Sequence, residues 1–263
     1  MLAAGAGERL RPLTLLRPKA LCPVGRVPLV DHAVARARAV TPSIAVNCHR
    51  SQPTLAAHLA GLGVHVSRED GERLGTAGAL GRLRSWIDGR AGLVLNADTW
   101  TTADLGLFVA GWDGVRPRLL CVVDPELATW DDLAYAGTAL LPWTLVRTLP
   151  DTPSGLWEAS WRHLQPGVDL DLVVTDAPVV DCGTPARYLR ANLLWSGGES
   201  VIGDGAVVEG EVVRSVVWDG ARVAAGERLV DAIRASDQMT VQVGPTPAPT
   251  PRPGPPTRRP RPG

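Results

Sequence analysis

The chain has 263 residues, 45% of them apolar and 21% charged, which suits one large domain or one domain plus a small module. Its formal charge is zero, so it lacks the bulk basic field of a nucleic-acid binder, and no run is long and apolar enough to cross a membrane. The zero hides an asymmetry: Arg252, Arg258, Arg259 and Arg261 lie in an acid-free tail, leaving 23 basic against 27 acidic residues in the body. Cys22, Cys48, Cys121 and Cys182 form no C-x-x-C pair and are expected to be buried structural thiols, and with no signal peptide visible the expectation is a cytoplasmic soluble protein.

Met1 to Ala4 open the chain as an apolar run, shorter than the roughly five or six residues usual for a strand. Either translation begins further upstream or a central strand is clipped; the first is favoured. Gly5-Ala6-Gly7 follow, and glycines without a Cβ let backbone N–H groups close on phosphate oxygens. Arg9 offers a forked donor and Lys19 a compact, mobile charge. The spacing excludes a P-loop, which needs G-x-x-x-x-G-K-[ST], and a dinucleotide fingerprint, whose third glycine is Leu10 here. Of 27 basic residues, 26 are arginine and only Lys19 is lysine. That points to a site where an ammonium fits and a planar guanidinium does not; chance survival is the alternative.

Val30, Ala33, Val34, Ala37 and Val40 then recur at helical spacing. Ile44 to Val46 and Val64 to Val66 read as strands around a helix from Pro53 to Ala60. Leu74-Gly75-Thr76-Ala77-Gly78-Ala79-Leu80 leads into a helix to Trp86; its small residues permit either close backbone approach by a ligand or tight packing on the sheet. Gly92 to Asn96 is a strand with Asp98 just past its C-terminal end, where open α/β sheets bind ligands. Leu119 to Val123 and Tyr135 to Leu141 are strand-like. Leu156 to Leu164 reads as a helix with Trp157 and Trp161 on one face. Val179 to Asp181 ends a strand before Pro185 opens a helix. From Val201, Ile202, Val208, Val217, Val223 and Leu229 fall at intervals of six or nine, with Ala206, Val212 and Ala221 four positions after several of them. This is a hexapeptide rhythm, about two coils long, and so short a stack needs support from the rest of the chain or from another subunit. Gly244 to Gly263, rich in proline, threonine and arginine, is expected to be an extended disordered tail.

The strings G-A-G-E-R-L-R-P-L-T and P-K-A-L-C-P-V resemble the N-terminal motif of sugar-1-phosphate nucleotidylyltransferases. L-G-T-A-G-A-L looks most like the guanylyltransferases acting on mannose 1-phosphate, whereas the abbreviated middle region, with no lysine, is similar to N-acetylmuramate-1-phosphate uridylyltransferases. L-V-L-N-A-D-T-W, Y-A-G-T-A-L-L-P and D-C-G-T-P resemble further family motifs. The resemblance implies a Rossmann-like α/β three-layer sandwich with a mostly parallel sheet over residues 1–197. It also implies a short left-handed parallel β-helix over 198–237, before a tail over 238–263.

By the same resemblance Arg9, Lys19 and Asp98 are catalytic, and Ala4, Gly5, Gly7, Leu74, Gly75 and Thr76 bind the nucleotide. Gly137, Glu158 and Asp181 meet the sugar, while Asp98 and Asp181 hold Mg²⁺. The implied partners are a nucleoside triphosphate, GTP favoured, and a sugar 1-phosphate, mannose 1-phosphate favoured, with no nucleic acid or membrane and a homo-oligomer left open. Another base or sugar, and a non-catalytic nucleotide-sugar-binding homologue, are the alternatives.

Overall fold

The computed structural model describes residues 1–124 and 127–244. The disordered tail expected from Gly244 onward therefore falls outside the described residues for all but Gly244. Three single 3₁₀ turns, Glu8–Leu10, Leu13–Leu15 and Lys19–Leu21, carry the chain from the glycine loop to a hairpin of β1 (Pro23–Val24) and β2 (Val27–Pro28). Helix α1 (Leu29–Arg38), β3 (Ala45–His49), α2 (Pro53–Gly61) and β4 (His65–Glu69) follow, with β3 and β4 parallel. Next come α3 (Gly75–Arg82), α4 (Arg84–Ile87), β5 (Gly92–Leu95), β6 (Thr99–Thr101), α5 (Leu105–Val109) and β7 (Arg118–Val123). Strand β8 (Leu133–Leu141), α6 (Trp143–Val146), α7 (Leu156–Ala159), β9 (Asp171–Val174), β10 (Val179–Asp181) and α8 (Pro185–Trp195) complete this part.

A four-stranded sheet is mixed around its one antiparallel strand, and the parallel pair β3–β4 adjoins it. The order of the four is β5-β8-β7-β9; β8 is antiparallel to both β5 and β7, and β7 is parallel to β9. The physical reason is the link from β7 to β8. It is too short to hold a crossover helix, so the chain turns back. Leu2 forms parallel bridges to Asn47 and Asn96 and stitches β3 to β5. Thus the opening run contributes one bridging residue rather than a full strand. An open apolar pocket of about 370 Å³ is lined by Met1, Ile44, Leu93, Trp86 and Trp112.

Alternation along the strands sends successive side chains to opposite faces. Val46, Leu95, Leu120, Ala136 and Leu140 pack with Val30, Val34, Leu55, Leu59 and Phe108 on one face. Ala45, Val94, Leu119, Cys121, Ala139 and Leu141 pack with Leu80, Leu83, Ile87 and Val146 on the other. Helices therefore cover both faces, giving the expected three layers. All four cysteines are free and buried, as expected. Among the described residues no helix is long and apolar enough to cross a membrane.

The expected helix from Leu156 to Leu164 is broken. It stops at Ser160, whose φ of −146° and ψ of −67° leave the helical region, and a 3₁₀ turn spans Trp161–His163. The two tryptophans consequently do not share a face. Trp161 is buried edge-on to Tyr135, whereas Trp157 is exposed and meets Trp130.

After α8 the chain is strand-rich: β11 (Val201–Ile202), β12 (Val207–Val208), β13 (Glu211–Val213), β14 (Val216–Val217), β15 (Arg222–Val223), β16 (Arg228–Val230), β17 (Ala232–Ser236) and β18 (Met239–Gln242). Successive passes stack in parallel as β11-β14-β17, β12-β15 and β13-β16, and β18 closes the first sheet antiparallel to β17. Strand β18 lies past the expected tail boundary at residue 238, and it is ordered there because Met239, Val241 and Val243 join a core. Ile202, Ala206, Val212, Val217, Ala221, Val223 and Leu229 meet in one small core, as their spacing predicts. Val208 does not; it is exposed. A second core joins these strands to the body: Val216, Trp218 and Ile233 pack with Tyr188 and Leu189 of α8 and with Leu10 and Leu13 from the turns after the glycine loop.

Candidate active site

Two carboxylates are brought together by a ribbon set against the main sheet. Strands β6 and β10 pair antiparallel with Asp181 opposite Thr99, so Asp98, one residue earlier, stands beside Asp181. The Cys182 N–H donates to the Asp98 carbonyl at 3.0 Å and locks this end. Lys19 lies between them. Its turn is anchored by Ala20, buried under α1, and its ammonium donates to Asp98 Oδ2 at 2.6 Å and to Asp181 Oδ1 at 3.1 Å. The Lys19 side chain is only 10% exposed, whereas Asp98 and Asp181 are 34% and 37% exposed and keep an open side. Burial alone would lower the lysine pKa, but the two carboxylates outweigh it and hold the pKa above its usual value.

Arg9 reaches the same cluster from the turn after the glycine loop, with a guanidinium nitrogen 3.6 Å from Asp181 Oδ2. Gly183 makes room for this approach, since a Cβ there would stand 3.0 Å from the Asp181 oxygens and 3.1 Å from Arg9. Gly7 has a left-handed φ of 68°, and its carbonyl accepts from Thr14 Oγ1 at 2.9 Å. A Cβ on Gly7 would sit 2.9 Å from Thr14 Cγ2 and 3.2 Å from Lys19 Cβ, so the loop rests directly on the lysine stem. Ala4 is buried, while Gly5 is exposed with nothing within 4 Å of its would-be Cβ, leaving that stretch of backbone open.

Leu74, Gly75 and Thr76 begin α3 beside the loop. Their small-residue pattern has a packing reason as well. Cβ atoms at Gly75, Gly78 and Gly81 would lie 2.5, 2.3 and 1.9 Å from the carbonyls of Ser154, Thr152 and Pro150. The 150–155 segment therefore runs along the glycine face of this helix, and Thr76 Oγ1 accepts from the Leu156 N–H at 2.7 Å. Gly137 sits in β8 with φ of 71°, against Thr99 and Asn96, and the Asn96 N–H donates to its carbonyl at 2.8 Å. Glu158 is not part of the carboxylate cluster. It is exposed, and its carboxylate folds back against Gly155.

Sequence reasoning passed over four side chains that tie these pieces together. Asn47 Oδ1 accepts from Ala3 N at 2.7 Å, and Gln52 Nε2 donates to the Gly5 carbonyl at 3.2 Å. Arg73 Nε donates to the Ala4 carbonyl at 2.7 Å, and Glu69 accepts from the Leu74 N–H at 3.1 Å. The available signal was polar character at positions where a strand is buried: Asn47 in β3 and Glu69 in β4 are 2% and 1% exposed.

A glycine loop, a lysine between two carboxylates and an arginine at the rim gather on one face of the fold. Residues 1–125 match the family model of the MobA-like NTP transferase domain. The chain resembles sugar-1-phosphate nucleotidyltransferases in particular. It is 34% identical over 128 residues to N-acetylmuramate alpha-1-phosphate uridylyltransferase of Caulobacter vibrioides, a match covering 44% of this chain and 53% of that protein. The chain thus spans about half the length of that relative. Among solved structures, the mannose-1-phosphate geranyltransferase of Thermus thermophilus superposes with a TM-score of 0.69 at 17% identity, over 92% of this chain and 93% of that one. The UDP-glucose pyrophosphorylase of Acinetobacter baumannii gives a TM-score of 0.62 at 17% identity, over 74% of this chain and 91% of that one. At these identities the superpositions speak to the fold alone.

Proposed function

We propose that the protein transfers a nucleotidyl group from a nucleoside triphosphate to a sugar 1-phosphate, releasing pyrophosphate. The observation that carries this reading is the Lys19 ammonium held between Asp98 and Asp181, on a stem that packs against Gly7. A sugar-phosphate oxygen attacks the α-phosphorus and pyrophosphate leaves, a reaction that needs positioning and charge neutralisation more than covalent catalysis. The open backbone at Gly5 and the left-handed turn at Gly7 receive the triphosphate. Arg9, largely exposed at the rim, neutralises charge building on the leaving pyrophosphate. Lys19 shields the two phosphates from one another as they close. Leu74, Gly75 and Thr76 border the base, and Gly137 borders the sugar.

Among the described residues no cluster of three or more His, Cys, Asp or Glu side chains is arranged to hold a metal. A pair of half-open carboxylates nonetheless suits Mg²⁺, which is commonly bound by one or two carboxylates together with substrate phosphates. Asp98 and Asp181 would hold it, and it would supply charge neutralisation on the phosphate oxygens.

We take GTP and mannose 1-phosphate as the first pair to test, because the segment from Leu74 to Leu80 looks most like guanylyltransferases. UTP with N-acetylmuramate 1-phosphate is the second reading, favoured by the uridylyltransferase relative. The stacked strands after α8 are read as a short left-handed β-helix over residues 198–237, with the catalytic unit ending at residue 197. The test is a screen of GTP, UTP, dTTP, CTP and ATP against several sugar 1-phosphates, scored by pyrophosphate release. The highest kcat/KM is expected with GTP. A UTP value well above it would replace the first pair by the second. No turnover with any pair would overturn the enzymatic reading in favour of a nucleotide-sugar-binding homologue.

A further inference from the structure

Glu69 closes β4 with its carboxylate out of water, and no lysine or arginine among the described residues forms an ion pair with it. A side chain with two oxygens in such a place is costly unless each oxygen has a hydrogen-bond partner. Here each has one. Oε1 accepts from Asn47 Nδ2 at 2.7 Å, and Oε2 accepts from the Leu74 N–H at 3.1 Å. Asn47 in turn accepts from the Ala3 N–H through Oδ1 at 2.7 Å. Three hydrogen bonds thus run in line from the start of the glycine loop to the residue before Gly75. Two donors converge on Glu69 from opposite sides, and a carboxylate is the side chain that presents an acceptor to both. A glutamine would turn its NH₂ towards one of them.

We infer that Glu69 is a positioning residue that sets the distance between the triphosphate loop and the base-bordering segment, and so sets how well a given nucleoside triphosphate spans the two. The inference rests on the function proposed above and deepens it. The loop and the base segment belong to different strand–helix units, and their separation is decided by whatever bridges them. The Arg73 contact with Ala4 is a second bridge, but Arg73 also bonds Ser51 from a half-exposed position. The Glu69–Asn47 line is buried throughout, where a hydrogen bond is hardest to exchange for water. Such a spacer acts on nucleotide binding and leaves the sugar 1-phosphate alone, because Gly137 and Asp181 lie on β8 and β10.

The test is Glu69→Gln in the full chain, with circular dichroism to confirm folding. Two readouts are taken: steady-state kinetics for the best triphosphate and a competing one, and amide hydrogen exchange without ligand. A tenfold rise in triphosphate KM is expected, about 1.4 kcal/mol of lost binding, with kcat and sugar-phosphate KM within about twofold of the parent. The preference between the two triphosphates should shrink. Exchange should quicken together at residues 2–7 and 73–77. A folded Glu69→Gln protein with unchanged triphosphate KM would overturn the inference, as would exchange that quickens around Leu74 alone. If Glu69→Gln does not fold, Asn47→Ser cuts the line while sparing the Glu69–Leu74 bond, and is read by the same criteria. Should the parent turn over no substrate pair, the functional reading fails by itself, and coupled exchange of the two segments still decides whether Glu69 bridges them.

Discussion

Replacing Lys19 by arginine keeps the charge and changes the shape, so it separates two roles of this side chain. The ammonium makes two short bonds, 2.6 Å to Asp98 and 3.1 Å to Asp181, from a side chain 10% exposed. Its stem is boxed in by Gly7, whose would-be Cβ is 3.2 Å from Lys19 Cβ. A guanidinium is larger, and its donors lie in one plane, so it reaches both carboxylates only by displacing the loop or the ribbon. We expect Lys19→Arg to lose on the order of 10²-fold in kcat/KM, about 2.7 kcal/mol of transition-state stabilisation. Lys19→Met should lose more, chiefly in sugar-phosphate KM. It also leaves two carboxylates facing each other. Charge-assisted bonds contribute roughly 1.5–3 kcal/mol each when buried, and the discount for partly exposed partners brings the net loss to about 2 kcal/mol. That is about 4–8 °C in Tm for a chain of this size. The ion pairs raise the lysine pKa, so their contribution to stability is complete below the unfolded value of about 10.4 and is lost as pH rises through the raised folded value. The Tm difference between parent and Lys19→Met should accordingly stay flat across neutral pH. Steady-state kinetics, circular dichroism and thermal melts of both variants provide the assay. A folded Lys19→Arg protein working within about threefold of the parent would refute the reasoning.

Three further outcomes follow from the geometry. Asp98→Asn should abolish nearly all Mg²⁺-dependent turnover and leave metal-free triphosphate binding little changed; near-parental turnover would remove Asp98 from the site. Gly81→Ala gains roughly 1 kcal/mol of helix propensity, yet its Cβ would lie 1.9 Å from the Pro150 carbonyl. The clash with backbone should win, giving a net destabilisation of about 2 kcal/mol, measured by urea unfolding; an unchanged or raised midpoint would contradict it. Trp218→Ala removes a fully buried ring that holds Tyr188 through a 2.9 Å hydrogen bond and lies under Arg17 at 4.2 Å. A loss of about 3–5 kcal/mol is expected. Because the same core holds Leu10 and Leu13, turnover should fall with it at temperatures below the melt. Full activity in the folded variant would show that the C-terminal strands do not support the loop.

Much of this arrangement was legible in the order of residues. Gly7, Lys19 and Asp98 stand out because their chemistry depends on residue type: a φ that glycine tolerates, a lone ammonium among arginines, a carboxylate just past a strand end; Asp181 stands out through the resemblance of D-C-G-T-P to a family motif. Spacing also predicted the small core of the C-terminal strands and the four buried thiols. What sequence could not decide was set by partners far along the chain. Strand β8 pairs antiparallel because the link before it is too short to cross over, and local propensity is blind to that. The Leu156–Leu164 pattern is helical in period, yet the chain breaks at Ser160 to bury Trp161 against Tyr135. The glycines of α3 read as room for a ligand, while packing shows that they also carry the 150–155 segment. Glu69 and Asn47 gave only a faint signal, because a buried polar side chain acquires a purpose when its partners arrive from residues 3 and 74. Residue identity fixes what each group can donate, accept or tolerate, and that is local; which groups meet depends on strand pairing and packing across 79 and 162 residues of chain, which the tertiary fold alone supplies.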